Sequence, residues 1–152
     1  MTVKIDGIRA LETTLSALND VLDGAITDAI KGIAEEVKRE AVFSIRETSG
    51  GEVVRRYGVQ GGYDHVASKV GDAPNDDTGD LVASIKIAYT NDDFIAHVYT
   101  ELNYGLYLET VLDRPWLQPA LDKVQPEFKR VLTSKIRKHL RDTGVYRSRG
   151  RR

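Results

Sequence analysis

At 152 residues and 16.9 kDa the chain has the size of one domain, long enough to bury roughly two-thirds of its unfolded surface. Hydrophobic residues at 41% against 30% charged argue for a globular chain and against wholesale disorder. With Cys at 0, disulfides, thiolate metal sites and cysteine nucleophiles are excluded, and synthesis in a reducing cytosol is the fitting expectation. No apolar run nears the ~18 residues of a membrane span, and no basic start leads into a signal-like segment.

The net charge of −1 hides a division. From Lys135 onward eight basic residues face the single Asp142, a net +7 that leaves the rest of the chain at −8. An acidic body therefore carries a basic end. That end is either a solvated terminus or a contact for nucleic acid, an acidic protein face or another copy's body.

In chain order, residues 2–6 alternate Val3 and Ile5 with polar neighbours and read as a short strand or extended entry. After Gly7, apolar residues recur in steps of three and four: Ile8, Leu11, Leu15, Leu18, Leu22, Ile26, Ile30, Ile33, Val37 and Ala41. This predicts a long amphipathic helical region with one face buried. Gly24 and Gly32 each weaken it by about 1 kcal/mol relative to Ala. Asp23-Gly24 marks a place where the region divides in two. Glu35-Glu36 and Lys38-Arg39 lie across the stripe and read as solvated.

Between residues 46 and 78 the periodicity is lost. Thr48-Ser49-Gly50-Gly51, Tyr57-Gly58, Gly61-Gly62 and Ala73-Pro74-Asn75-Asp76 are turn chemistry, with Val53-Val54 and Val59 allowing a small hairpin. A connection this long, over about residues 48–77, is uncommon in a compact domain and predicts a segment that orders against a partner.

Residues 81–90 alternate again, with Ile85, Ile87 and Tyr89 on one face of a predicted strand. Asn91-Asp92-Asp93 turns the chain, and residues 94–100, with Phe94, Ile95, Val98 and Tyr99, return it as a hairpin. Residues 101–110 gather Leu102, Tyr104, Leu106, Tyr107 and Leu108 around Gly105 as a third strand or a short helix. Gln118-Pro119 reads as a helix entry. Leu121, Val124, Phe128, Val131, Leu132, Ile136 and Leu140 line one face of a closing helix, which Pro126 should either kink or start further downstream and which Gly144 should cap. The predicted class is α+β: a long N-terminal amphipathic helical region, a small antiparallel sheet with a central hairpin, and a C-terminal amphipathic helix. One domain over residues 1–142 precedes a basic, flexible tail over 143–152.

Catalytic chemistry is not visible. No Gly-Lys-Ser/Thr phosphate loop occurs, and His65, His97 and His139 lack the spacing that puts two imidazoles on one metal. Tyr63-Asp64-His65 beside Ser68 or Ser49 suggests a triad, but adjacent residues seldom aim at one reacting atom. Asp72, Asp76, Asp77 and Asp80 do not follow a Ca²⁺-loop pattern, and a solvated acidic turn is the simpler reading. The expectation is no catalytic residue, no metal and no cofactor.

Two blocks carry a resemblance. The first is Ala73-Pro74 followed by Asp77-Thr78-Gly79-Asp80-Leu81-Val82-Ala83-Ser84-Ile85. The second is Tyr104-Gly105-Leu106-Tyr107-Leu108-Glu109-Thr110, then Arg114-Pro115-Trp116-Leu117-Gln118-Pro119-Ala120-Leu121. In this order, behind an amphipathic helix, the chain resembles the neck proteins of long-tailed bacteriophages, the head–tail joining or tail-completion family. Thr110 departs from the glycine many relatives carry, Trp116 replaces the commoner Phe, and the loop over residues 46–70 is long for the family.

The resemblance implies a non-enzymatic virion protein that forms a closed homo-oligomeric ring, a hexamer by the tail's symmetry or a twelvefold ring. Such a ring would sit between the portal complex and the tail tube, touching head-completion, tail-terminator or tail-tube proteins. It implies a place in the virion, assembly in the host cytoplasm, and no membrane partner. Family-motif positions are Thr78, Gly79, Leu81, Ser84, Ile85, Pro115, Trp116, Pro119 and Ala120. Gly79 should permit a tight turn into a strand whose buried face Leu81 and Ile85 anchor. Tyr104, Tyr107, Glu109 and Arg114 are interface candidates, with Tyr107 and Trp116 placed mainly in the core and Glu109 and Arg114 pairing either within a subunit or across a ring contact. Arg147, Arg149, Arg151 and Arg152 are the tail's contact candidates, for DNA in the neck channel or an adjoining ring. The alternative function is a small nucleic-acid-binding module that uses this basic end on phosphates.

Overall fold

A computed structural model describes residues 7–48, 50–58, 61–90 and 94–144. Expectations for Val3 and Ile5, Ser49, Val59, Asn91-Asp92-Asp93 and the arginines 147, 149, 151 and 152 lie outside the described residues.

The architecture is α+β, ordered around one long helix. The helix α1 (Gly7–Glu47) is followed by a hairpin of β1 (Glu52–Gly58) and β2 (Gly61–Ala67), a short helix α2 (Asp80–Ser84), and a second hairpin of β3 (Lys86–Thr90) and β4 (Ile95–Tyr99). Three helices close the chain: α3 (Asn103–Thr110), α4 (Gln118–Val124) and α5 (Phe128–Asp142), the last two joined by a 3₁₀ turn at Gln125–Glu127. The single predicted sheet is thus two separate antiparallel pairs, with Glu52 opposite Ala67 in one and Lys86 opposite Tyr99 in the other.

The predicted division at Asp23-Gly24 does not occur; α1 runs unbroken for 41 residues. Its packing explains why a glycine is tolerated there. A Cβ on Gly24 would meet His139 Cε1 at 3.2 Å, so the bare backbone lets α5 lie close. The buried side of α1 consists of Val21, Ala25, Ala29, Ala34, Val37, Ala41 and Ile45. The bulky stripe read from the sequence is only partly covered: Leu18, Leu22, Ile26, Ile30 and Ile33 are half-buried and Leu15 is exposed. Close approach of α5 over small residues leaves the large ones beside the contact rather than beneath it.

The core sits at the other end of α1. Val37, Ala41 and Ile45 pack with Leu81, Ile85, Trp116, Ala120 and Val124. Leu81 lies in α2, not in the predicted strand, which begins only at Lys86. Gly79 does take a left-handed conformation, φ 80, yet it opens a helix rather than a strand. Its amide bonds the Asp76 carboxylate at 2.9 Å, and the Thr78 hydroxyl accepts the Asp80 amide at 3.4 Å. Those short polar side chains satisfy backbone donors and turn the chain into α2.

Residues 103–110 form a helix, resolving the alternatives left by the sequence. Pro119 occupies the first turn of α4 as expected, and Pro126 breaks the closing helix into α4 and α5 at the 3₁₀ turn. Gly144 is left-handed, φ 72, and its amide bonds the Arg141 carbonyl at 3.1 Å, closing α5. The long segment over about 48–77, read as turn chemistry that allows a small hairpin, holds the β1–β2 hairpin. The two strands pair along seven positions, so cross-strand bonding supplies the order that helical periodicity does not.

Candidate functional site

The two sequence blocks converge on one knot. Gly105 of α3 is buried, and a Cβ there would meet Thr100 Cγ2 at 2.6 Å and Leu81 Cδ1 at 3.1 Å. The Gly105 carbonyl accepts the Trp116 indole N–H at 3.1 Å, and Trp116 is 2% exposed. Tryptophan is buried here with its polar edge satisfied. Ser84 donates to or accepts from Thr100 across 2.6 Å, and Thr100 Oγ1 accepts the Leu102 amide at 3.1 Å.

Within the chain Glu109 and Arg114 do not pair. Each instead ties the knot to another element. The Glu109 carboxylate accepts the amides of Trp116 at 2.7 Å, Leu117 at 3.0 Å and Gln118 at 2.9 Å, capping the start of α4 from α3. A carboxylate at a helix start satisfies orphan N–H groups and complements the dipole. Arg114 Nε donates to the Ser68 carbonyl at 3.1 Å, fastening the exit of β2. Pro115 is half-buried, Ala120 is 4% exposed and Pro119 faces solvent.

The β1–β2 hairpin is held to the body by side chains. Asp77 receives the Tyr63 hydroxyl at 3.2 Å, Arg56 Nε at 3.3 Å and His65 Nδ1 at 3.2 Å. Asn75 Nδ2 donates to the Val66 carbonyl at 2.6 Å and the Gly50 carbonyl at 3.3 Å. Desolvation first, then the hydrogen bond to Asp77 and the Asp77 charge, push the Tyr63 phenol up. Asp64 points the other way, onto Arg55 at 3.0 Å. The triad geometry is therefore absent: His65 turns to Asp77 rather than Asp64, and the Ser68 hydroxyl is buried without a partner. Among the described residues no group of three or more His, Asp or Glu side chains is placed to hold a metal ion. No described helix is long and apolar enough to cross a membrane.

Apolar surface also remains exposed. The hairpin presents Val53, Val54, Tyr57, Tyr63 and Val66, with Tyr57 86% exposed. The α3 helix presents Tyr104, Leu106 and Tyr107, with Val111 just past its end. Tyr104 is exposed, as suits an interface candidate, but Tyr107 is 51% exposed and outside the core where it was expected. Its place in the core is taken by Leu108, which packs against the buried cluster. Partial burial, then the carboxylates of Asp80, Asp76 and Asp77, push the Tyr104 phenol up. A third surface is a groove of about 430 Å³ between α1, β4 and the α4–α5 corner, lined by Ile30, Ile33, Phe94, Val98, Leu121 and Phe128. Sequence periodicity places Ile30 and Ile33 on one helix face and Leu121 and Phe128 on another, but local pattern carries no information on the gap left between two such faces.

No family model matches the chain, and no curated protein or solved structure matches it.

Proposed function

We propose that this protein is a non-enzymatic structural component of a phage virion, assembling as a closed ring, sixfold by preference, at the head–tail junction. The observation that carries the reading is the separation of packing from presentation in the two motif blocks. Leu81, Ile85, Gly105 and Trp116 build the knot, while Tyr104, Leu106 and Tyr107 on the same α3 helix stay outside. The hairpin is a second, separate apolar surface. A closed ring uses two different patches of each subunit, joined head to tail. Exposed apolar patches of this kind mark interaction sites. A two-stranded hairpin is marginal by itself and gains most from a neighbour.

Light scattering at the highest soluble concentration, with electron microscopy of the same sample, tests the reading. The expected result is a closed ring, lost on Leu106→Lys or Tyr57→Lys while the far-ultraviolet circular dichroism is kept. A monomer under all conditions, which also fails to restore joining to heads lacking their neck protein, overturns it.

A further inference from the structure

The charge division has a folded component. The helix α5 carries Lys129, Arg130, Lys135, Arg137, Lys138 and Arg141 against Asp142 alone, a net +5 on 15 residues of a chain whose total is −1. Its two sides differ. Toward α1, His139 Nε2 meets the Asp28 carboxylate at 3.1 Å, with Lys135 and Lys138 acting on the same carboxylate. On the outer side Lys129, Arg130, Thr133, Ser134, Arg137 and Arg141 are all exposed. Among the described residues only Arg130 has an ion-pair partner there, Glu127.

We infer that this outer face of α5 is a binding surface for the sugar–phosphate backbone of duplex DNA, without base readout. Lys129, Thr133, Arg137 and Arg141 follow one another at four-residue steps, so they form one row whose cationic ends fall about 12 Å and then about 6 Å apart along the axis. Like charges four apart repel and weaken a helix. Lys129 and Arg130 also stand at the end of α5 where cations oppose the helix dipole. A row kept without local acids, at that cost, suits a partner that supplies the countercharge. Composition favours nucleic acid over an acidic protein. Protein interfaces concentrate aromatic side chains and shed charge at their centre. This face has no aromatic residue, and its uncharged members include the exposed Ser134, whose hydroxyl suits a phosphate oxygen. The surface is distinct from the hairpin and α3, so it holds whether the protein is a ring or a monomer. Arg147, Arg149, Arg151 and Arg152 follow it in sequence and add to the same charge.

The test uses the full chain and a fluorescent duplex of mixed sequence, with affinity measured across salt from about 50 to about 200 mM. Each phosphate neutralised contributes about 0.9 to the slope of log K against log salt. The triple variant Lys129→Gln/Arg137→Gln/Arg141→Gln should lower that slope by about 3 with helicity unchanged. Arg137→Lys/Arg141→Lys should keep the wild-type slope. Neutralising the four tail arginines should leave the contribution of the helix in place. An unchanged slope in the triple variant overturns the inference, as does complete loss of binding in the tail variant. Displacement of the duplex by polyglutamate at equal charge also overturns it and assigns the face to an acidic protein.

Discussion

Gly32 and Gly105 both lie in helices, and the structure gives them opposite values. Around Gly32 there is nothing within 4 Å of an added Cβ, and the residue is exposed. Gly32→Ala should therefore stabilise the protein by about 1 kcal/mol through helix propensity alone. Gly105→Ala places a methyl 2.6 Å from Thr100 Cγ2. That group cannot swing aside freely, because Thr100 Oγ1 is held by Ser84 and by the Leu102 amide. Overpacking should outweigh the propensity gain and destabilise by about 1–3 kcal/mol. Paired denaturant titrations check both signs; stabilisation by Gly105→Ala would mean that the knot is looser than its contacts require. Trp116→Ala removes the ring at the centre of the knot and should cost about 3–5 kcal/mol by the same measurement. The burial of Trp116 was legible in the sequence as a large amphipathic side chain amid motif residues. The role of Glu109 was not. Its three amide partners lie seven to nine residues downstream, and only the turn through Asp113, at φ 50, brings them to the carboxylate.

Among elements, the long helices and the β3–β4 hairpin follow from local pattern, because periods of 3.6 and 2 are written in neighbouring residues. The start of α4 is legible in Pro119 for the same reason. The short helix α2 escaped because five residues hold too little periodicity to separate a helix turn from a strand, and its start rests on the polar side chains of Asp76 and Thr78. The β1–β2 hairpin was legible only as an allowance, since its attachment is nonlocal: Asp77 gathers Tyr63, Arg56 and His65 from the two strands. Asp77→Ala should therefore free the hairpin without unfolding the body. Hydrogen exchange should quicken across residues 52–67 while Val37, Ile45 and Trp116 keep their protection. Slowed or unchanged exchange in the hairpin would show that backbone pairing and Asn75 hold it without Asp77.

At the scale of the whole molecule, one polar contact spans the helix pair that organises the chain. The α5 helix meets the N-terminal half of α1 over Ala25, Ala29 and Gly24, and the Asp28–His139 contact lies on that seam. The hydrogen bond from His139, helped by the positive charges of Lys135, His139 and Lys138, holds the Asp28 carboxyl below its ordinary value of 3.8, against a partial desolvation that raises it. A depressed carboxylate favours the folded state wherever it is ionised in both states. Its contribution is therefore full above the ordinary value and is lost as pH falls through the lower, folded one. Asp28 is half-exposed, its side chain at 45% accessibility, so solvent screens the pair and the contribution should stay within about 1 kcal/mol. Thermal unfolding of wild type and Asp28→Asn should differ most at pH 5 and above, with the variant less stable. The two curves should converge in acid below the ordinary carboxylate range, where the wild-type side chain is neutral as well. A difference that persists unchanged into that range would assign the effect of the substitution to packing on the α1–α5 seam rather than to charge.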